Sequence, residues 1–349
     1  MKPRSISLSL SLAWNTIPSF PFLLFSFILY GLLLAPQRNR NGNERQQQQQ
    51  AAQISQATDG STILDATANM KNKKSGVQLR FKVSGPADQF TTRADVPGAT
   101  QQPGAAGNLG VNVLLHGDGG QSFFDFPNQA VQGNLMGVVI LAPSEQLLWG
   151  QRTGQPQGLT RDDGAADAQT VADFVSQILP QVVAFDPSQI FFTGVSGGSL
   201  LLSGFFVPAQ LANFAGGGGA GVLLMCGALE PQVDVVNASS FIGNTKIHFQ
   251  STQDELASLQ GAIPDAIRAY EALAADQGLG AREIGQLQTV DNTPSGGHCE
   301  FDEQGFVSGI QLVADNFANI MQGGDGAVQG INADTVLVSV VGNEDVFGA

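Results

Sequence analysis

The stretch FFTGVSGGSLLLSGFF, residues 191–206, sets a serine among glycines where one apolar run ends and another begins. QIFFTGV (189–195) is short and rich in β-branched and aromatic residues, bounded by turn residues, and reads as a buried strand. SLLLSGFFVPAQLANF (199–214) reads as a helix. Between them stands Gly194-Val195-Ser196-Gly197-Gly198, a G-x-S-x-G junction of the kind that turns a strand sharply into a helix and exposes a serine hydroxyl. Such a pentapeptide is cheap in a chain with 43 glycines among 349 residues. Its flanks must therefore give it meaning.

Upstream of the junction, VQLRFKVSG (77–85), GVNVLLHG (110–117) and GVVILAPS (137–144) read as strands. RDDGAADAQTVADFVSQILPQVV (161–183) carries Ala172, Val175, Ile178, Leu179 and Val182 at helical spacing, with Asp162 or Asp163 able to cap it. Downstream, GVLLMCGA (221–228) and TKIHFQST (245–252) repeat the strand pattern, and GAIPDAIRAYEALAADQG (261–278) is an amphipathic helix. EIGQLQTVDN (283–292) reads as a last strand and EFDEQGFVSGIQLVADNFANIM (300–321) as a last helix. Strands alternating with helices imply an α/β fold with a mostly parallel central sheet covered by helices on both faces. The short interval between the strands ending at Ala228 and starting near Thr245 leaves no room there for a large lid. GGGGAG (216–221) matches a dinucleotide fingerprint literally, but it precedes a strand instead of opening a helix, so it reads as a loop.

The ordered domain is expected over 58–322. Residues 1–36 hold Lys2 and Arg4 and then a run of nearly uncharged apolar residues, read as a signal peptide or signal anchor and set apart from the fold. Residues 37–57 form a polar, Gln-rich linker, and 323–349 a Gly-rich tail of unassigned structure around TVLVSVV. The expected location is extracellular, or membrane-bound if the first segment is retained as an anchor. With 16 basic against 30 acidic residues, a net charge of −14 and a pI near 4.4, the chain is a poor partner for nucleic acid, which is bound largely through Lys and Arg. Two cysteines, Cys226 and Cys299, make no disulfide scaffold and show no metal-ligand spacing; one bridge or two free thiols fit the count. No metal or cofactor is expected. Asn237-Ala238-Ser239 is a glycosylation sequon.

Four polar features fall at or beyond strand C-termini: HGDGG (116–120), Ser196, QSTQDE (250–255) and GGHCEF (296–301). Open parallel sheets place their ligands at that edge. A serine hydroxyl becomes a nucleophile when a base takes its proton. Of three histidines, His298 lies in a polar, glycine-preceded loop, whereas His248 sits mid-strand in KIHFQ and reads as a packing residue.

In this order the motifs resemble those of the α/β-hydrolases: an H-G-x-G-G loop, a G-x-S-x-G elbow, then an acid and a histidine. Within that superfamily the chain is most similar to lid-poor secreted esterases of the polyhydroxybutyrate-depolymerase and feruloyl-esterase type, over roughly 75–322. The resemblance implies a secreted serine esterase with Ser196 as nucleophile, His298 as base and an acid after the strand 245–252. Asp254 is favoured for that acid, with Glu255 the alternative. It implies an oxyanion hole from the backbone of Gly197 and of Gly117 or Asp118, and an orienting role for His116. It further implies an ester substrate, small or polymer-linked. Asp118 departs from the pattern, since its carboxylate beside an oxyanion must point away or bind a substrate hydroxyl. In tannase-like esterases the cysteine after the histidine is tied to the residue before the serine. Here that residue is Val195, so the pairing expected is Cys226–Cys299. Phe123, Phe124, Phe126 and Trp149 are candidates for an acyl pocket or for the core. The alternative reading is a non-catalytic surface or binding protein on the same scaffold.

Overall fold

The computed structural model describes residues 61–71, 76–125, 134–151, 158–215, 220–301, 313–323 and 338–339. The sequence readings on 1–36, on the linker, on Phe126 and on most of the tail lie outside these residues. So do the side chain of Phe124 and the first part of the last helix.

The strands are β1 (Thr62–Lys71), β2 (Gly76–Gly85), β3 (Gly110–Leu115), β4 (Leu135–Ile140), β5 (Ile190–Val195), β6 (Gly221–Met225), β7 (Lys246–Gln250), β8 (Gln288–Asp291) and β9 (Val338–Ser339). They form one sheet in the order β1-β2-β4-β3-β5-β6-β7-β8-β9. The six strands β4-β3-β5-β6-β7-β8 run parallel. β2 joins β4 antiparallel and pairs with β1 along a ten-residue hairpin, while β9 caps the other edge antiparallel to β8.

The continuous apolar runs of the central strands follow from burial on both faces. Alternate side chains enter two separate cores, as the strand period of two requires. Val111, Val113, Phe192, Val222 and Leu224 point into one, and Leu114, Phe191, Val195, Leu223 and Met225 into the other. Helix α2 (Gly164–Asp173) covers the first core through Ala168, Val171 and Ala172, and α4 (Ala257–Asp276) through Ile263, Ile267 and Tyr270. The second core is closed by Phe123 of α1 (Gln121–Asp125) and by Phe317, Ile320 and Met321 of α6 (Phe317–Met321).

Two helical stretches widen in mid-course. α2 passes through a π turn at Phe174–Ile178, and α3 (Gly197–Leu201) through one at Leu202–Phe206. Each π turn ends two residues before a proline, Pro180 or Pro208. Proline brings no N–H and crowds the carbonyl four residues back, here Ser176 or Gly204, so the ladder opens by one residue instead of breaking.

Two readings are corrected. EIGQLQTVDN is not one strand: Ala281–Leu287 is helix α5, and only Gln288–Asp291 is strand. The hairpin strand β1, absent from the sequence reading, pairs with all of β2. Between β6 and β7 the chain makes only a short 3-10 turn, Ala238–Ser240, so no large lid stands there.

Candidate active site

β3 feeds β4 on one side, and β5 lies on its other side. The sheet order therefore reverses at the C-terminal ends of β3 and β5, where such sheets leave a crevice. His116–Gly120 follows β3 and Ser196 follows β5 into this crevice.

Ser196 has φ 49° and ψ −113°, outside the ordinary regions for a residue with a side chain. The surrounding packing enforces that turn. A Cβ on Gly194 would lie 2.5 Å from the backbone of Ser199, and one on Gly198 would lie 2.1 Å from the Leu115 carbonyl oxygen. The glycines thus let α3 pack directly on the ends of β5 and β3. The turn is tied down by the Ser196 N–H donating to the Met225 carbonyl at 2.8 Å, and by the buried Ser199 hydroxyl donating to the same carbonyl at 2.8 Å.

Ser196 Oγ lies 2.9 Å from His298 Nε2. The other ring nitrogen, Nδ1, contacts Glu255 Oε1. A carboxylate oxygen can only accept, so Nδ1 carries the proton and Nε2 is the acceptor for the serine hydroxyl. Glu255 is fully buried while His298 keeps one edge open. Two further donors fix the carboxylate: the Leu256 N–H to Oε1 at 2.9 Å and the Ser251 hydroxyl to Oε2 at 3.2 Å. The preference for Asp254 is therefore corrected. Asp254 is exposed, and its backbone N–H is spent on the Gly296 carbonyl at 3.2 Å. Of the two adjacent carboxylates in the turn after β7, the one turned inward is Glu255.

The loop bearing His298 has no regular structure and is held by cross-links. Gln253 N–H donates to the Pro294 carbonyl at 2.9 Å, Gln253 Nε2 to Thr293, and the Thr252 hydroxyl to the Gly297 carbonyl at 3.0 Å. Cys299 is bonded to Cys226 at the end of β6, with the Cα atoms 5.3 Å apart. Because these two cysteines form a disulfide, their nearness to His298 offers no thiolate metal site.

The HGDGG loop lies across the elbow. His116 is buried, its Nε2 accepts the Ala142 N–H at 2.8 Å, and its Nδ1 donates to the Gly117 carbonyl at 2.6 Å. Burial pushes its pKa down to about 4, so the neutral ring locks the carbonyl in place. Gly119 N–H donates to Leu147 and Gly120 N–H to Gly117, each at 3.0 Å. The backbone N–H groups of Gly117, Asp118 and Gly197 meet no acceptor among the described residues. Free donors beside a serine are what an oxyanion hole needs.

The Asp118 carboxylate forms a two-pronged ion pair with Arg161, whose Nη1 and Nη2 reach Oδ1 and Oδ2 at 2.9 and 2.8 Å. Arg161 was not singled out in the sequence; it stands in the turn before α2, in a segment read only for helix signals. His248 is a buried strand residue between the Thr289 hydroxyl and Gln250 Oε1, its pKa pushed down to about 3 by burial. Phe123 and Trp149 are both fully buried. Trp149 packs its ring against His116, 5.3 Å between centroids.

Strand order, elbow and the sequence of site loops agree. The chain has the α/β-hydrolase fold. No protein-family model matches it, and no curated protein does. Among solved structures it is similar to one from a study of two fungal esterases of Rhizomucor miehei, with 12% identity, a TM-score of 0.46, and coverage of 81% of this chain and 90% of that one. It is also similar to a putative dienelactone hydrolase from Klebsiella pneumoniae, with 12% identity, a TM-score of 0.43, and coverage of 74% and 99%. A thermostable esterase from Pseudomonas putida gives 13%, 0.43, 78% and 86%. Likeness at this level assigns no activity; the α/β-hydrolase assignment rests on the topology and the elbow.

Proposed function

We propose that this α/β-hydrolase is a serine esterase that works through an acyl-enzyme. Ser196 Oγ attacks the ester carbonyl carbon as its proton passes to His298 Nε2. The tetrahedral oxyanion accepts hydrogen bonds from the N–H groups of Gly197 and Asp118. Its collapse expels the alcohol, which takes the proton back from His298. Water, deprotonated by His298, then releases the acid and restores Ser196. Glu255 holds the Nδ1–H tautomer and stabilises the imidazolium that forms in each half-reaction. No cofactor enters the cycle.

The observation that carries this reading is the line Ser196 Oγ–His298 Nε2, Nδ1–Glu255 on a strained elbow beside unclaimed backbone N–H donors. Secretion belongs to the same proposal. It is supported by the apolar N-terminal run, the exposed Asn237 sequon and the disulfide, a bond that persists in oxidising compartments. Among the described residues no helix is long and apolar enough to cross a membrane.

The test is hydrolysis of a short-chain p-nitrophenyl ester by the wild type beside Ser196→Ala and His298→Ala. We expect both variants to lose at least about 10⁴-fold in kcat. A wild type that neither turns over the ester nor is labelled by a fluorophosphonate would return the scaffold to a binding role.

A further inference from the structure

The HGDGG loop carries a problem that the proposed mechanism leaves open. Asp118 contributes a backbone N–H to the oxyanion hole, and the same residue bears a carboxylate. A Cβ built on Gly197 would come within 2.0 Å of Asp118 Oδ1, so that carboxylate lies against the Cα of the residue following the nucleophile. A bare negative charge there would oppose the oxyanion that the two N–H donors must stabilise.

Arg161 answers that charge. Its Nη1 donates to Asp118 Oδ1 and to the Trp149 carbonyl, each at 2.9 Å, and its Nη2 donates to Oδ2 at 2.8 Å. The Arg161 side chain is 2% exposed against 15% for Asp118, so the guanidinium lies behind the carboxylate as seen from solvent. Its Nε is buried and has no hydrogen-bond partner among the described residues. A buried donor left unsatisfied is costly, and the fork with Asp118 offsets that cost. The Trp149 carbonyl ties the guanidinium to the same residue whose ring packs on His116. The loop is therefore held from both ends, by His116 on the Gly117 carbonyl and by Arg161 on the Asp118 side chain.

We propose that Arg161 is a positioning residue of the oxyanion hole: it neutralises the Asp118 carboxylate beside Gly197 and clamps the loop so that the Asp118 N–H faces the crevice. The inference rests on the serine-esterase reading and adds a charge requirement to it. Loss of Arg161 uncovers a negative charge where negative charge develops, so the cost falls on the transition state more than on substrate binding.

The full chain would be assayed on p-nitrophenyl acetate as wild type, Arg161→Gln, Arg161→Lys and the double variant Asp118→Asn/Arg161→Gln. Arg161→Gln is expected to lower kcat by about 100-fold with KM changed less than about threefold. The double variant, which removes the charge as well as its partner, is expected to recover at least tenfold. A purely structural role would not give the rescue. Arg161→Lys keeps the charge but not the fork, and about a tenfold loss in kcat is expected. Should Arg161→Gln fail to fold, that loss in a natively folded Arg161→Lys carries the test. Full kcat in Arg161→Lys or Arg161→Gln, a loss confined to KM, or a double variant no better than the single one overturns the inference while the esterase reading stands. An inactive, unlabelled wild type overturns both.

Discussion

The elbow at Ser196 and the loop at His298 bring a hydroxyl and an imidazole nitrogen to 2.9 Å from each other, yet they are built in opposite ways. The elbow is local. Strand, turn and helix are contiguous, and glycines at 194 and 198 remove Cβ atoms that would prevent the packing. The histidine loop is assembled from afar. It has no strand or helix of its own and is hung on the turn after β7 and on Cys226 at the end of β6. A nucleophile needs an exact local backbone; a base needs only to be delivered, and many anchors can deliver it.

Ways to break this contrast run from chemistry to stability. The largest effect is expected at Glu255. Glu255→Gln keeps the shape but removes the charge that stabilises the imidazolium in the proposed cycle, and kcat should fall by about 10³–10⁴-fold. Asp254→Asn should stay within about threefold of wild type. Steady-state kinetics on the same ester measures both.

At the elbow, Gly198→Ala drives a methyl against the Leu115 carbonyl, and backbone cannot yield there as a side chain can. A loss of about 3 kcal/mol or more is expected, read as a drop in the urea midpoint at unchanged slope. At the histidine loop, Cys226→Ser/Cys299→Ser opens a bridge spanning 73 residues. The chain-entropy estimate for that span is about 4 kcal/mol. The two damages should differ in kind. The disulfide variant is expected to lower kcat along with stability, because His298 adjoins the lost bond.

A smaller effect sharpens the view of the scaffold. Asp167 of α2 accepts the Gly150 N–H at 2.7 Å, and burial raises its pKa from 3.8 to about 6. The fold therefore prefers the protonated acid. Its stabilising share is complete below pH 3.8 and is lost as the pH rises through 6, amounting to about 3 kcal/mol. Asp167→Asn abolishes that dependence, so its stability relative to wild type should climb by about that amount between pH 4 and pH 7. His116 and His248 act in the other direction. With folded pKa values near 4 and 3, they stay neutral in the fold, and stability falls as the pH drops below 6.5 and the unfolded chain takes up protons first. Urea denaturation across that range reads both slopes.

The contrast also explains what was legible in the sequence. The central strands could be read because burial on both faces leaves near-continuous apolar runs, and the elbow because its steric needs are written as glycines. LDATANMK (64–71) alternates apolar and polar side chains as a half-buried edge strand should, and that signal was present but unread. EIGQLQTVDN suits a strand as well as a short helix by its apolar content, and its one glycine, Gly285, lies inside the helix instead of marking the boundary at Leu287. The choice between Asp254 and Glu255 was not decidable from residue type. It turns on which of two adjacent side chains faces inward, and that depends on where β7 stops and how the turn docks on Pro294 and Gly296. Arg161 was hidden for a similar reason: its partner is 43 residues away, and only the fold brings them together.

The most direct test of the account is the rate at which a fluorophosphonate labels Ser196 in the wild type, Glu255→Gln and Asp254→Asn. The account predicts rapid labelling of the wild type and of Asp254→Asn, slowed by at least about 100-fold in Glu255→Gln. Labelling slowed in Asp254→Asn and unchanged in Glu255→Gln would contradict it.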